Sequence, residues 1–411
     1  MSACAKSPMT DPVDGDVVAA LRSTVAVRER SHFLLARARA GESRWFTVDD
    51  EALPGAADDV ATVTRGRYPD LDIPFHSRWR HFEAGGIDRR AELDTLLAGA
   101  DPGERARVMV DLTVIAVLLD AGAGPDWKYR EASGARYTRS EGLGVASWHA
   151  FVSGLFSCDP AHPLQADADG LRALTEAQLA DAFQVTPDNP VVGLAGRVTL
   201  MHRLGDTLAA QAGGTGRPGT LFDRLGGSDS VPAHDILDEV LVSLSPIWPS
   251  HNMIGDIPLG DCWRHDAVPG PGLSAGWMPL HKLSQWLTYS LIEPFRWAGV
   301  DVTDLDGLTG LPEYRNGGLL LDTAVLRLRD PALAERDWTP ADELVVEWRA
   351  LTVALLDELA PLVRERLGTD AQSMPLARVL EGGTWAAGRV SAQRLRGGSP
   401  PLRVVSDGTV F

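Results

Sequence analysis

The chain has 411 residues, of which 44% are hydrophobic and 23% charged, and its formal net charge is −17. This composition suits a globular protein with a large core, whereas a surface so negative repels nucleic-acid phosphates and excludes a nucleic-acid partner. No apolar run of about 18 residues is present for a membrane span, and scattered cysteines with a polar N-terminus that lacks a signal-peptide core favour a cytoplasmic protein.

Helical patterns dominate the chain. Residues 1–16 are polar and expected to be a disordered tail, and the apolar spacing that follows predicts a helix over 17–40. Further helices are predicted over 147–156, 175–183, 233–244, 281–298 and 341–367. Short strands are predicted only near 45–48 and 402–405, so the fold class is mainly α.

A buried helix is predicted after Asp101. Asp101 is a favourable N-cap, Pro102 suits the first turn, and Glu104 is spaced for a capping box. Residues 108–119 are apolar nearly all round, which is typical of a central helix. Asp120 ends this run, and the interpretation we favour for it is a solvated carboxylate.

A stretch rich in Gly, Ser and Pro over 213–230 predicts a loop or linker. It divides the rest of the chain into an N-terminal helical subdomain (17–212) and a C-terminal helical catalytic subdomain (231–411). The turn-rich segments 122–131, 139–143 and 381–389 suit either a site or structural turns.

Two segments combine polar and aromatic residues. His76, Arg78 and His81 lie around Trp79, where an arginine fork can bind a phosphate, or the segment packs between domains. The five-residue spacing of the histidines fits no standard metal motif. Between 247 and 263, Trp248 can wall a pocket that contains Asp256 and Asp261.

Two predicted helix starts carry the other candidates. Lys282, Gln285 and Tyr289 share one face of the helix near 281, with Trp286 beside them. The segment 308–318 places Glu313, Tyr314, Arg315 and Asn316 together before an apolar run. A carboxylate held there can position water and stabilise an oxocarbenium-like centre, or it is a Glu–Arg pair at a helix start.

Common catalytic motifs are absent from the chain. It contains no HExxH, no GxSxG and no P-loop, and no cluster of metal-ligand type is visible. We therefore predict neither a metal nor another cofactor.

These segments resemble the uracil-catabolism family of fungi and bacteria, long described as a domain of unknown function. The resemblance is carried by residues 75–82, 118–124, 139–143, 281–287, 308–318 and 406–411. It implies a place in a pathway that opens uracil, as a nucleotide, to ribosylurea-type intermediates and releases urea.

The C-terminal half also resembles the queuosine salvage glycosidases, whose fold is similar to the helix-hairpin-helix DNA glycosylases. Lys282 and Gln285 match their Lys-x-x-Gln, and Glu313-Tyr-Arg315 matches their Asp-Tyr-Arg, although Asn316-Gly-Gly318 replaces their Val-Pro-Gln. This likeness implies a helical fold of two subdomains and makes Glu313 the implied catalytic acid.

The hypothesis that follows is an N-ribosidase that takes a small nucleoside-derived or nucleotide-derived substrate and hydrolyses ribosylurea or its 5'-phosphate without a metal. Glu313 is the expected catalytic carboxylate, assisted by Asp256 or Asp261. The expected substrate-binding residues are Lys282, Gln285, Arg315, Tyr314, Trp248, Trp286, Tyr289, Asn316, His76 and Arg78. The alternatives are a ureide amidohydrolase, which usually needs a metal or an activated nucleophile, and a non-catalytic partner that binds an intermediate.

Overall fold

Helices make up most of the structure, a computed structural model that describes residues 12–120, 122–211, 216–248 and 252–405. The α-helices are α1 (Pro12–Arg22), α2 (Thr24–Arg39), α3 (Leu53–Arg67), α4 (Trp79–Phe82), α5 (Arg89–Leu96), α6 (Pro102–Leu118), α7 (Arg139–Val152), α8 (Ala168–Ala173), α9 (Glu176–Ala182), α10 (Leu194–Ala210), α11 (Thr220–Leu225), α12 (Ala233–Leu244), α13 (Lys282–Trp297), α14 (Tyr314–Asp322), α15 (Glu343–Leu367), α16 (Leu376–Val379) and α17 (Trp385–Arg396). The mainly α class is confirmed. Within the described ranges, none of these helices has both the length and the apolar character of a bilayer span.

The strands are short and form two-stranded sheets. They are β1 (Phe46–Val48), β2 (Lys128–Arg130), β3 (Arg136–Thr138), β4 (Ser230–Pro232), β5 (Met253–Ile254), β6 (Ile257–Pro258), β7 (Cys262–Arg264), β8 (Trp277–Pro279), β9 (Asp301–Thr303), β10 (Leu326–Leu328), β11 (Asp337–Trp338) and β12 (Arg403–Val404). β1 pairs antiparallel with β10, β4 pairs parallel with β9, and β11 pairs parallel with β12. The hairpins are β2–β3, β5–β6 and β7–β8. The strands expected near 45–48 and 402–405 are β1 and β12.

The core is built around α6, as its apolar sequence predicts. Every residue from Val108 to Leu118 is buried, and α13 packs against this helix. Asp111 is the one carboxylate in that run, and both of its oxygens are bonded: Oδ2 accepts from Arg217 Nη2 at 2.8 Å, and Oδ1 accepts from Gly219 N at 2.6 Å. A charge can lie inside this core because its partners replace the lost water.

The apolar core is continuous between the two predicted subdomains. One cluster of buried side chains includes members from Leu34 to Leu402, and α15 packs against both α2 and α3. In the linker segment, residues 212–215 lie outside the described residues, and α11 packs on α6. The division at 213–230 stays a prediction, and the helices on both sides of it contribute to one core.

Several helix boundaries differ from the predicted ones. Residues 12–16 belong to α1 rather than to a tail, and 1–11 lie outside the described residues. The helix predicted over 17–40 is divided at Ser23, because the Ser23 Oγ accepts a hydrogen bond from Ala26 N at 3.1 Å and caps α2.

Helix α7 begins at Arg139, eight residues before the predicted start at 147. Two glycines in its first turns weaken the helical pattern, but they have a packing role. A Cβ on Gly142 would lie 2.9 Å from the Trp127 ring, and a Cβ on Gly144 would lie 2.8 Å from the Cβ of His81. The glycines therefore let α7 approach the residues beside it closely.

Only half of the predicted capping box at α6 is present. The Asp101 Oδ1 accepts from Glu104 N at 3.0 Å, which confirms the cap. The Glu104 carboxylate does not return to the backbone of Asp101; it accepts from Arg217 Nη1 at 2.8 Å. A long-range ion pair has replaced the local bond.

Candidate functional site

A cavity of about 540 Å³ lies where the start of α4, the end of α6 and the starts of α7, α13 and α14 meet. Residues from the segment 398–404 complete its wall. Its ionisable lining residues are His76, His81, Asp120, Arg139, Lys282, Glu313 and Arg315, and its aromatic ones are Trp286, Tyr314 and Trp385. This volume and this mixture of flat and charged groups are typical of a pocket for a small molecule.

Glu313 is the N-cap of α14 and lines the cavity. Its Oε1 accepts from Asn316 N at 2.6 Å, and its Oε2 accepts from Arg315 N at 2.7 Å. Burial raises the pKa of Glu313 above its ordinary value, while these backbone bonds and the Lys282 charge act against that rise. The helix N-terminus thus fixes the carboxylate in place, and each oxygen keeps a second lone pair for a ligand or water.

Lys282 is held at the start of α13 by its backbone. The preceding His281 adopts a left-handed conformation with φ 48°, and Lys282 N donates to Asp261 Oδ2 at 2.8 Å. Burial lowers the pKa of Lys282, and the nearby charges of Glu313 and Asp120 oppose this. Among the described residues none accepts a hydrogen bond from its Nζ, so the ammonium is available to a ligand in the cavity.

His76 and Glu381 form a buried pair in the wall. The His76 Nδ1 lies 2.9 Å from Glu381 Oε2, and both side chains are 8% exposed. The imidazole packs against the Trp286 ring at a centroid distance of 4.6 Å. The cavity therefore has a histidine whose orientation a carboxylate sets.

Asp120 lies in the cavity wall, so the interpretation as a solvated acid was wrong. Its Oδ2 lies 3.0 Å from Arg78 Nη1, and its side chain is 10% exposed. The same Nη1 donates to His81 Nδ1 at 3.1 Å and to the carbonyl of Ser140 at 3.1 Å. Arg78 thus supports the wall from behind through Nη1, and its fully buried side chain is not among the residues that line the cavity.

His81 is a neutral member of this group. Burial, and then the charge of Arg78, lowers the pKa of His81 to about 4. Because an arginine can only donate, the bond from Arg78 makes Nδ1 the acceptor and leaves the ring proton on Nε2. His81 can therefore donate a hydrogen bond to a ligand at neutral pH.

Two arginines flank the segment 398–404. Arg139 has a left-handed backbone with φ 54° at the start of α7 and lines the cavity. Arg315 donates through Nη1 to the carbonyl of Gly398 at 3.1 Å, and its guanidinium carbon lies 4.7 Å from the centre of the Tyr314 ring. With Lys282 they place three cationic side chains in the lining, beside the carboxylates of Asp120 and Glu313.

Asp261, Asp256 and Trp248 are not among the residues that line the cavity. Asp261 is bonded to Arg349 at 2.7 and 2.8 Å and accepts from Trp263 Nε1 at 2.6 Å. Burial alone would raise the pKa of Asp261, but the Arg349 ion pair outweighs it and lowers that pKa. Asp256 is exposed in the β5–β6 turn. Neither carboxylate has the placement expected of a catalytic assistant.

Three other predicted residues support the site from the interior. Gln285 accepts from Thr309 N at 2.9 Å, and Tyr289 donates to the carbonyl of Thr309 at 2.9 Å. Asn316 donates to the carbonyl of Leu311 at 3.1 Å. All three are fully buried, so they hold the loop before α14 and do not line the cavity.

The cavity therefore unites Glu313, Lys282, Arg315, Tyr314, Trp286 and His76 from the predicted set. Residues that the prediction did not select for the site are His81, Asp120, Arg139, Trp385 and the supporting Glu381. His81, Asp120 and Arg139 fall within the family-like segments 75–82, 118–124 and 139–143, which was the available signal. Residues 121 and 406–411 of those segments lie outside the described residues.

The described residues contain no group of three or more His, Cys, Asp or Glu side chains placed to hold a metal ion. The described cysteines are free, with Cys262 buried and Cys158 exposed.

The similarity of this chain to known proteins extends over almost its whole length. The family described as "Protein of unknown function (DUF1688)" matches residues 20–411, a range that contains every residue of the cavity. The chain is 40% identical to Protein urg3 of Schizosaccharomyces pombe, over 96% of this chain and 99% of that protein. It is 36% identical to Uracil catabolism protein 4 of Lachancea kluyveri, over 90% of this chain and 93% of that one.

Proposed function

The chain belongs to the DUF1688 family, and from that premise we propose that it acts in uracil catabolism. The name of the relative from Lachancea kluyveri supports this role. The reaction we propose is the hydrolysis of the bond between ribose C1' and a urea-type nitrogen, with ribosylurea or its 5'-phosphate as substrate. The products are urea and ribose or ribose phosphate.

The observation that carries the proposal is the Glu313 carboxylate, fixed inside the cavity by the two backbone N–H groups of Arg315 and Asn316. Cleavage of an N-riboside develops positive charge at C1', and a carboxylate held in place stabilises that charge without rearrangement. The same group accepts a proton from the water that attacks C1'. One residue at the cavity wall thus serves both needs of the reaction.

The remaining lining suits the rest of the substrate. Trp286 and Tyr314 offer flat faces for the sugar and the ureide. Lys282, Arg139 and Arg315 provide the local positive charge that a 5'-phosphate requires in a protein of net charge −17. His81 supplies a neutral donor for a hydroxyl or a carbonyl oxygen.

The test is a mass-spectrometric assay of purified protein with ribosylurea and with its 5'-phosphate, in the presence of EDTA. We expect the wild type to release urea and the sugar, and Glu313→Gln to lose about 10²–10⁴-fold in kcat, a range typical of a positioned acid–base group. Asp256→Asn is the matched control, since it neutralises an exposed carboxylate outside the cavity. Thermal unfolding of all three proteins shows that each is folded.

The other possible results of this assay would each contradict a part of the proposal. No turnover of either compound would exclude the ribosidase and direct attention to a ring-opening step or to a non-catalytic binding role. Turnover that EDTA abolishes would favour the ureide amidohydrolase, and turnover that survives Glu313→Gln would remove the role given to this carboxylate.

A further inference from the structure

The buried His76–Glu381 pair has no role in the reaction proposed so far. The Glu381 Oε2 holds His76 Nδ1, and the other oxygen accepts from Arg67 Nη2 at 2.9 Å and from Tyr68 Oη at 3.2 Å. Burial alone would raise the pKa of Glu381, but the bond from His76 and the charge of Arg67 outweigh it and lower that pKa. Glu381 therefore stays ionised, and the Nδ1 of His76 carries a proton.

Two further contacts fix the position of His76. The His76 backbone N donates to the carbonyl of Ala377 at 2.9 Å, and its ring packs against Trp286. With Nδ1 engaged, Nε2 is the remaining polar atom of a ring that lines the cavity, and no described residue forms a hydrogen bond with it. The geometry leaves Nε2 to a ligand.

Glu381 also belongs to an unusual backbone element. Glu381 is part of a π-helical turn, Leu380–Thr384, that joins α16 to α17. Two glycines follow it, and a Cβ on Gly382 would approach Thr64 of α3 to 3.1 Å, while one on Gly383 would overlap the Thr64 hydroxyl. Such turns are rare and recur at functional sites. Here the turn directs Glu381 towards the loop that carries His76.

A second buried His–Glu pair shows that burial alone does not place a histidine in the cavity lining. His265 and Glu347 form a pair of the same 2.9 Å length with both side chains 3% exposed, yet neither lines the cavity. The two pairs differ in what faces the free edge of the imidazole. Of these two pairs, the His76 pair alone combines ionic orientation with a place in the lining of the cavity that contains Glu313.

We propose that His76, oriented by Glu381, is the general acid that protonates the leaving nitrogen, an inference that rests on the proposed N-ribosidase function. The C1'–N bond breaks with its electron pair on nitrogen, and the proton from Nε2 of the doubly protonated imidazole completes urea. Water adds to C1' and gives its proton to Glu313. Solvent then returns a proton to His76 and takes one from Glu313, so that ribosylurea and water become ribose and urea.

A comparison of leaving groups tests the assignment. The substrates are ribosylurea, whose nitrogen needs a proton to depart, and 4-nitrophenyl β-D-ribofuranoside, whose phenolate departs without one. We expect His76→Gln to lower kcat on ribosylurea by about 10²–10⁴-fold and to lower kcat on the nitrophenyl compound by less than about tenfold, because only the first reaction uses a general acid.

Glu381→Gln tests the positioning role of the carboxylate. It keeps an oxygen for Nδ1 but removes the charge that stabilises the imidazolium, so kcat on ribosylurea falls with KM unchanged and the nitrophenyl substrate is again spared. His265→Gln is the matched control, because it breaks a buried pair of equal length away from the cavity. It should alter stability without separating the two substrates.

Chemical rescue makes the test independent of the second substrate. Added imidazole should restore ribosylurea turnover to His76→Gly in proportion to its concentration and should not affect His265→Gly. The general-acid role would be overturned if the His76→Gln protein lost equal activity on both substrates, or if imidazole did not rescue the His76→Gly protein. In either case, turnover of ribosylurea by the wild type would still support the ribosidase. A wild type inactive on ribosylurea and its phosphate would overturn both proposals.

Discussion

Glu313 shows how a single residue acquires two roles from its position. A carboxylate at an N-cap satisfies the first backbone N–H groups of its helix, and α14 begins in the cavity wall, so the same carboxylate also lines the cavity. The backbone bonds favour the ionised form, and burial disfavours it. The balance leaves a base whose pKa is above that of an ordinary glutamate.

The pH dependence of turnover follows from that balance. The proposed mechanism requires ionised Glu313, so kcat should fall as the pH is lowered through a pKa above the ordinary 4.5 of glutamate. His81, whose pKa is about 4, stays neutral over this range and contributes no transition there. A pH–rate profile of the wild type measures the acidic limb, and a midpoint at or below 4.5 would contradict the raised pKa.

Packing between helices positions the cap. α14 and α17 cross closely, and the contact depends on Gly388 of α17, since a Cβ there would overlap the carbonyl oxygen of Arg315. The backbone N of Arg315 is one of the two donors to Glu313. The spacing of the two helices therefore helps to set the position of the Glu313 carboxylate.

A substitution at this contact should affect both stability and turnover. Gly388→Ala should lower the free energy of unfolding by about 1–3 kcal/mol, as overpacking does, and should lower kcat because the first turn of α14 must shift. Gly66→Ala is the control: Gly66 lies inside α3 with no atom near its added Cβ. It should raise the free energy of unfolding by about 0.5–1 kcal/mol.

Denaturant unfolding and ribosylurea turnover, measured on both variants, check this prediction. If Gly388→Ala keeps wild-type kcat, the crossing of α14 and α17 does not control the site.

At the scale of the whole molecule, residues distant in sequence hold the cavity together. β1 pairs with β10, one apolar cluster joins both halves of the chain, and the cavity takes side chains from positions 76 to 404. The buried Asp261–Arg349 pair joins the segment before β7 to α15, and Asp261 also fixes the backbone of Lys282. The site is thus a product of the complete fold.

The Asp261–Arg349 pair can be tested for this role. Arg349→Met should lower the free energy of unfolding by about 3–5 kcal/mol, because it leaves a buried carboxylate without its counter-charge. Arg403→Met, which removes an exposed pair with Glu335, should have little effect. Chemical denaturation measures both, and equal effects of the two substitutions would contradict the structural role of the buried pair.

The sequence alone determined the helical class of the chain, its central buried helix and the position of Glu313 at the start of a helix. Apolar periodicity predicted the mainly α class and the buried helix α6, because burial on all sides requires an apolar surface on all sides. The cap at Asp101 and the placement of Glu313 at a helix start were predicted from local chemistry. These features depend on neighbours within a few residues, which the sequence displays directly.

Only the tertiary structure decided which polar residues share the cavity. Lys282 and Gln285 were predicted on one polar face of α13, yet Lys282 and Trp286 face the cavity while Gln285 binds Thr309. Helical spacing defines the faces of a helix but not what each face meets. Asp120 and the His76–Glu381 pair depend on partners far away in the chain, 305 positions apart for the pair, and such contacts form only when the core brings their elements together.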